Sequence, residues 1–265
     1  MAVELPAQLG TMLRTAHPDW HGILESGLQA VAAADPAYLP DLLEVSYMPT
    51  QGRLFAAFSM PLDSVRYVLV GEGPYPRAAS ATGVCFMDGA VGSLWSDTGL
   101  SKAVNRATSL RNFMKMLLVA DGQLAPDRTA GDALATVAAA ARQADSRMIQ
   151  TLAQLQENLL GNGFLLLNAA LVFRPDVPPV REARAWRAFL EVVLAALARR
   201  ASTGGQAPTL VLWGKVAALI DALPMSSAFP KAVAEHPYNL SFITNASMHR
   251  LFGRMALLEQ QKGQR

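Results

Sequence analysis

Four short apolar runs each end abruptly on a turn-forming or polar residue. They are Val65-Arg66-Tyr67-Val68-Leu69-Val70 before Gly71, Phe164-Leu165-Leu166-Leu167 before Asn168, Leu210-Val211-Leu212-Trp213 before Gly214, and Ala232-Val233-Ala234 before Glu235 and His236. Runs of this kind, unbroken rather than alternating, suit strands buried on both faces. The first predicted strand covers about 66–70, with others at 164–167 and 209–213. Helical spacing fills the gaps, predicting helices at about 141–159, 182–199, 215–222 and 247–259, and a Thr/Ser-led helix over 108–117. Residues 1–60 read as helices and turns: Trp20, His21, Ile23 and Leu24 are followed by Leu28, Val31 and Ala32 at helical spacing, until Asp35-Pro36 and Leu39-Pro40 break the pattern. The apolar piece at 83–87 reads as a strand or a tightly packed loop. Strands separated by helices argue for a parallel sheet covered on both faces. The expected fold is therefore α/β: one three-layer α/β/α domain over 1–265 around a mostly parallel four-stranded sheet. The alanine-rich and polar stretch 121–145 reads as a surface insertion, helical in part.

Composition narrows the function without choosing it. Half of the residues, 51%, are hydrophobic, enough for a sizeable core, and the net charge of +2 permits an anionic partner without demanding one. The single cysteine, Cys85, excludes a disulfide framework, a four-cysteine zinc site and a cysteine-bound iron–sulfur cluster, and fits a reducing cytosol. A small buried hydrophobe is its ordinary role. The N-terminus lacks the basic-then-apolar order of a secretory signal, and no apolar window is long enough to cross a bilayer, so a cytoplasmic protein without a membrane partner is expected.

The most informative stretch is the turn Gly71-Glu72-Gly73-Pro74-Tyr75-Pro76, which follows its strand without a gap. A glycine-flanked, proline-stiffened turn at a strand's end presents main-chain amides and one aromatic ring at a sheet edge, where α/β proteins place ligands. If the strands are parallel neighbours, Tyr75, Asn168 and His236 meet in one crevice. Gly-x-Gly after a strand invites a dinucleotide reading, but Pro76 holds the third glycine position and no ribose-binding acid is evident about 20 residues on. A phosphate-cradling loop is absent, and His17, His21, His236 and His249 are too scattered for a metal site. No cofactor and no metal are expected. Taken singly, Asn168 is often a mere turn former, His236 a structural loop histidine and Tyr75 a ring packed over its turn.

Their order and spacing, however, resemble the uracil-DNA glycosylase superfamily, which carries a Gly-Gln-Asp-Pro-Tyr-His turn, a Leu-Leu-Asn strand end and a His-Pro-Ser-Pro-Leu loop. Here these stand as Gly71–Pro76, Leu166-Leu167-Asn168 and His236-Pro237-Tyr238-Asn239-Leu240-Ser241. Thr82-Gly83-Val84-Cys85-Phe86 looks like the segment bearing the ring that stacks on uracil, and Ser109-Leu110-Arg111-Asn112-Phe113 like the family's Ser-Leu-Lys-Asn-Ile helix start. Trp186–Phe189, Leu212-Trp213-Gly214-Lys215 and Gln51–Phe58 extend the likeness over nearly the whole chain outside 121–145.

The resemblance implies a monomeric DNA glycosylase that extrudes a uracil, or a related deaminated base, and hydrolyses its glycosidic bond in base excision repair. Phe86 would stack on the base, Asn168 would bond its O4 and N3–H edge, and Tyr75 would exclude a C5 methyl group. His236 would donate to O2, Leu240 would fill the gap left by the extruded nucleotide, and Ser109, Ser241, Arg111 and Lys115 would hold phosphates. One departure bears on the chemistry: where the family has a water-orienting aspartate, this chain has Gly73, and Glu72 is the only carboxylate in the turn. A branch of the superfamily with Gly-Glu-small-Pro here also carries iron–sulfur cysteines, which this chain lacks. Pro76 replaces the family's histidine, and Tyr238-Asn239 replaces Ser-Pro. A second implication is therefore a catalytically weak or silent relative that binds uracil, DNA or a protein partner through the same residues.

Overall fold

The computed structural model describes residues 5–202 and 205–261. In chain order the helices and strands are α1 (Ala7–Leu13), α2 (His21–Ala34), α3 (Tyr38–Leu43), β1 (Tyr67–Gly71), β2 (Trp95–Ser96), β3 (Gly99–Leu100), α4 (Lys102–Arg106), α5 (Thr108–Ala120), α6 (Gly131–Ala141), α7 (Leu152–Gly161), β4 (Phe164–Asn168), α8 (Pro179–Ser202), β5 (Thr209–Trp213), α9 (Val216–Asp221), β6 (Lys231–Ala234) and α10 (Ala246–Phe252). A four-stranded parallel sheet in the order β4-β1-β5-β6 is flanked by helices, as the apolar runs predict. β1 pairs in parallel with β4 from Tyr67–Phe164 to Gly71–Asn168, and with β5 from Tyr67–Thr209 to Val70–Leu212.

The chain divides into two compact units. One comprises residues 1–89, 163–212 and 216–231; the other comprises 90–162, 213–215 and 232–265. In the first, β4 is buried at every position, so the run Phe164–Leu167 has no polar face to alternate with. α2 packs along α8, and Phe55, Phe58, Trp186 and Phe189 form a buried aromatic cluster with centroids 5.4–6.5 Å apart. Beside it the buried Glu182 carboxylate accepts from the Tyr38 hydroxyl at 2.5 Å and from Arg174 Nε at 2.6 Å.

In the second unit, Phe113 of α5 packs on Trp213 (5.7 Å) and edge-on to Phe252 of α10 (5.2 Å), while Trp213 meets Phe242 edge-on at 5.3 Å. The stretch 121–145 contributes α6, which buries Leu134, Val137, Ala138 and Ala141 and packs on the β2–β3 hairpin.

Two predicted boundaries are corrected. The helix expected over 141–159 is two elements: α6 stops at Ala141, and α7 starts at Leu152 behind a reciprocal cap in which Thr151 Oγ1 accepts from Gln154 N–H and Gln154 Oε1 from Thr151 N–H. Tertiary pairing overrides helical spacing between them, since Ile149 O accepts from Trp95 Nε1 at 2.7 Å and Met148 bridges Glu259. The last helix, expected to reach 259, ends at Phe252. Beyond Gly253 the chain turns at Ala256 (φ +49°), and buried Asn158 donates to Leu257 O and Glu259 O at 2.8 and 2.7 Å. Of the two readings of 83–87, strand or tightly packed loop, the loop holds.

Candidate functional site

In the first unit Asn168 lies beside the end of β1, where the turn after β1 starts and where Cys85 of the loop 80–89 approaches Gly71. The β1–β4 ladder runs on past the strands: Ala169 N–H donates to Gly71 O at 2.8 Å and Ala170 N–H to Glu72 O at 3.1 Å. The turn is therefore held as a continuation of the sheet rather than as a loose loop. Asn168 closes β4 directly opposite Gly71. A Cβ at Gly71 would stand 2.9 Å from Asn168 Oδ1 and would collide with Cys85 Sγ, so glycine here is a demand for space. Asn168 is only 5% exposed, yet its carboxamide makes no hydrogen bond to any described residue. An amide whose donor and acceptor are not used within the protein is free to bond a ligand or water.

The neighbours of Asn168 are fixed by local chemistry. Cys85 N–H donates to Leu166 O at 3.0 Å, anchoring the loop to β4. Burial pushes the Cys85 thiol up to about 12, although a hydrogen bond from the Gly71 main chain pulls the other way, so the sulfur stays a neutral hydrophobe. Thr82 Oγ1 accepts from Val84 N–H (3.2 Å) and lies 2.9 Å from Met87 O, tightening the chain around Phe86. Gly83 has φ +82°, and a Cβ there would strike Arg53 O. Phe86 has φ +68°, a left-handed conformation uncommon for a bulky residue, and is half-buried. Tyr75 is half-buried as well. Its phenol is held above the usual range, chiefly by burial and further by the charge of Asp88, and is a neutral O–H donor at physiological pH.

Glu72 and Gly73 are both exposed in this turn. Gly73 is not in the left-handed region, and a Cβ on it would meet only Ala170 O at 3.7 Å and Ala170 Cβ at 3.8 Å. Nothing in the packing forbids a side chain where the aspartate is missing.

In the second unit the residues about His236 form their own cluster. Asn112, wholly buried on α5, points Nδ2 at three consecutive carbonyls: Pro237 O at 2.7 Å, Tyr238 O at 3.2 Å and Asn239 O at 3.4 Å. Arg111 Nε donates to Asn112 Oδ1 at 3.2 Å, which completes the amide's hydrogen bonding. Tyr238 N–H donates to His236 Nδ1 at 3.1 Å. A ring nitrogen that accepts carries no proton, so the neutral imidazole has its hydrogen on Nε2 and presents a donor there. Gly214, with φ +61°, lies under this histidine: a Cβ would come within 2.9 Å of His236 Cβ.

The rest of the loop is also tied down from within. Asn245 donates to Glu235 Oε2 at 2.7 Å and caps α10 through Ser247 N–H and Met248 N–H. Burial raises the Glu235 carboxyl, but hydrogen bonds from Ser241, from its own main chain and from Asn245 outweigh it and leave the group below its ordinary range. Ser241, expected on phosphate, lies close enough to Glu235 to contribute to that lowering and is itself exposed. Ser109, Arg111 and Lys115 are half-buried on α5, and burial together with the Arg111 charge lowers the Lys115 ammonium. Leu240 and Tyr238 each stand 69% exposed.

The sequence reading placed Asn168, Tyr75, Phe86, Glu72 and Gly73 in chemistry, and the structure gathers these around β1 and β4. It gathers His236, Arg111, Lys115, Leu240 and Ser241 in the second unit. That reading missed the clamp made by Asn112 and the seat made by Gly214. The signals were present in Ser-Leu-Arg-Asn-Phe and Leu-Trp-Gly, but as likenesses without a mechanism. Among the described residues no group of three or more His, Cys, Asp or Glu could hold a metal, and no helix is long and apolar enough to cross a membrane.

No family model matches the chain. Its sequence is 30% identical over 253 residues to the uracil-DNA glycosylase of Thermobifida fusca (strain YX), covering 91% of this chain and 92% of that protein. It is 28% identical over 218 residues to the uracil-DNA glycosylase of Mycobacterium sp. (strain KMS), covering 82% and 78%. The wild-type UNG crystal structure from Nitratifractor salsuginis superposes with a TM-score of 0.87 at 39% identity, over 98% of this chain and 100% of that one.

Proposed function

The chain belongs to the uracil-DNA glycosylase family, and from that membership we propose that it recognises a flipped-out uracil, or a related deaminated base, and hydrolyses its N-glycosidic bond in base excision repair. The observation that carries the reading is Asn168: a nearly buried carboxamide whose hydrogen-bonding capacity is unspent. One donor and one acceptor match the O4 and N3–H edge of uracil. Cytosine reverses both and leaves the amide unpaired, a mismatch worth orders of magnitude in discrimination. Phe86 supplies the stacking face, and the neutral Tyr75 ring closes the space where thymine carries its methyl group.

In the reaction the N1–C1′ bond breaks with its electron pair leaving on uracil, and water adds to C1′, giving free uracil and an abasic sugar. Negative charge therefore grows on uracil O2 while positive charge grows on the sugar. His236, whose Nδ1 accepts from Tyr238 N–H, is the donor to O2 through Nε2, and the main-chain amides of Glu72 and Gly73 assist. Glu72 is the carboxylate that orients the attacking water and takes its proton, in place of the family's aspartate. Leu240 occupies the gap in the base stack, and Ser109, Arg111, Lys115 and Ser241 hold the DNA backbone. The protein acts as a monomer, and in the cytoplasm, whose reducing conditions its free, buried Cys85 thiol suits.

A gel assay tests this. Uracil-containing oligonucleotides are incubated with the protein and cleaved with alkali at any abasic site. Wild type is expected to give uracil-dependent breaks that His236→Ala and Glu72→Gln reduce. Breaks undiminished in both variants would refute the assigned roles, and no breaks with wild type would refute the activity.

A further inference from the structure

We propose that Glu235 is a positioning residue for His236, acting through a clasp with Asn245 that closes the loop carrying the histidine. The proposal rests on the glycosylase reading above and adds to it a pair to which the sequence pattern assigns no role. Glu235 directly precedes His236, and Asn245 is the residue before α10. Glu235 Oε2 accepts from Asn245 Nδ2 at 2.7 Å, so the two ends of the span 235–245 are joined side chain to side chain. The other half of the same amide, Oδ1, accepts from Ser247 N–H at 3.0 Å and from Met248 N–H at 3.1 Å. Asn245 therefore spends its carboxamide in two directions: one half holds the first turn of α10 and the other reaches back to the residue after β6. Between the two ends the chain makes a turn, in which Asn239 N–H donates to His236 O at 2.9 Å, and then a short 3-10 helix over Leu240–Thr244. Phe242 of that helix is wholly buried, edge-on to Trp213.

The hydrogen bonds of Asn112 end at Asn239, and the Gly214 seat lies under His236 itself. The clasp ties what these leave, the return of the loop past Leu240 to α10. A hydrogen bond to an ionised carboxylate is stronger than one between neutral partners, and joining a span at its ends removes conformers in which a side chain it carries swings off target. A carboxylate beside a DNA-contacting loop also repels phosphates, so a purely local convenience would disfavour it there. Glu235 is half-buried and bonded to Asn245, which makes its charge part of the loop's frame.

Reversing the pair tests the proposal. Aspartate caps a helix as well as asparagine does, so Asn245→Asp keeps the bonds to α10 but sets two carboxylates against each other. It is expected to lower kcat for uracil excision about tenfold or more while moving KM less than about threefold, because His236 loses its aim while other residues grip the base. Glu235→Gln keeps an acceptor for Asn245 and should stay within about threefold of wild type. Combining the two exchanges donor and acceptor, and the double variant should regain kcat to within about threefold of wild type. The proposal is overturned if Asn245→Asp keeps the wild-type kcat, if its loss falls on KM alone, if Glu235→Gln loses as much, or if the double variant is no faster than Asn245→Asp. A second readout needs no turnover: hydrogen exchange of the Tyr238 amide, which is bonded to His236 Nδ1. Its protection should fall about tenfold or more in Asn245→Asp and return in the double variant, and equal protection in wild type and both variants overturns the proposal. Absence of excision by wild type would remove the proposed activity, and the exchange result alone would then decide whether the clasp holds His236 in place.

Discussion

Gly71 and Asn168 face each other across β1 and β4, and the side chain that one lacks is the clearance the other uses. A methyl group at Gly71 would press on both Asn168 Oδ1 and Cys85 Sγ. Gly71→Ala is expected to cost about 1–3 kcal/mol through overpacking and to weaken inhibition by free uracil more than tenfold. Adding Cys85→Ala removes the clash with sulfur but not the one with the amide. The double variant should regain most of the lost melting temperature without regaining uracil affinity. If affinity returns too, Asn168 is not the group that reads the base.

The packing around Gly73 leaves room for the carboxylate the family places there. Gly73→Asp is expected to leave the melting temperature unchanged, since the new Cβ meets only ordinary contacts. Glu72→Gln should slow excision about 10²–10⁴-fold if the Glu72 carboxylate handles the water. The double variant Glu72→Gln with Gly73→Asp should recover at least tenfold of that loss under single-turnover conditions. A Glu72→Gln rate equal to wild type would show that the water is held elsewhere.

Asn112 makes the loop of His236 a fixed platform. Asn112→Ala leaves three buried or half-buried carbonyls short of a donor and is expected to cost about 1–3 kcal/mol. The catalytic effect should fall on kcat rather than KM, because the base is gripped by other residues while His236 loses its aim. Denaturant unfolding and steady-state kinetics on the same preparation check both parts. A raised KM with kcat intact would remove the positioning role.

Asp121 follows α5 at its C-terminal end, where a negative charge opposes the helix dipole. Burial, then the charge of Glu259, lift its carboxyl from an ordinary value near 3.8 to about 6. The folded state holds this proton more tightly than the unfolded chain does, so the group's contribution is fully present below about pH 4 and is lost as pH rises through about 6. Asp121→Asn should therefore raise the melting temperature by a few degrees at pH 7.5 and by nothing measurable at pH 4. An equal gain at both pH values would mean that charge is not the cause.

Much of this architecture is legible in the sequence because burial on both faces leaves a plain mark. Phe164–Leu167 and Leu210–Trp213 are read as strands at once, and each ends on a polar or turn-forming residue, Asn168 or Gly214. Boundaries set by distant partners are not legible. Nothing in Ser146–Gln150 says that Trp95 will take the Ile149 carbonyl and interrupt a helical pattern. Nor does Asn112 announce itself, since its partners lie 125 to 127 residues away and its worth depends on pointing at main-chain atoms, which every sequence has. Asn168 could be singled out by its place at a strand end. That its amide pairs with none of the described residues is a fact only of the folded chain.

Phe86 sits in a left-handed backbone that glycine or asparagine would accept with less strain, at a standing cost of order 1–3 kcal/mol. Under the proposed stacking role of Phe86, heat tolerance and substrate grip pull this one position in opposite directions. A laboratory evolution experiment that rewarded survival at high temperature alone would be drawn to replace the ring, and its hardiest descendants would be the ones least able to hold a base.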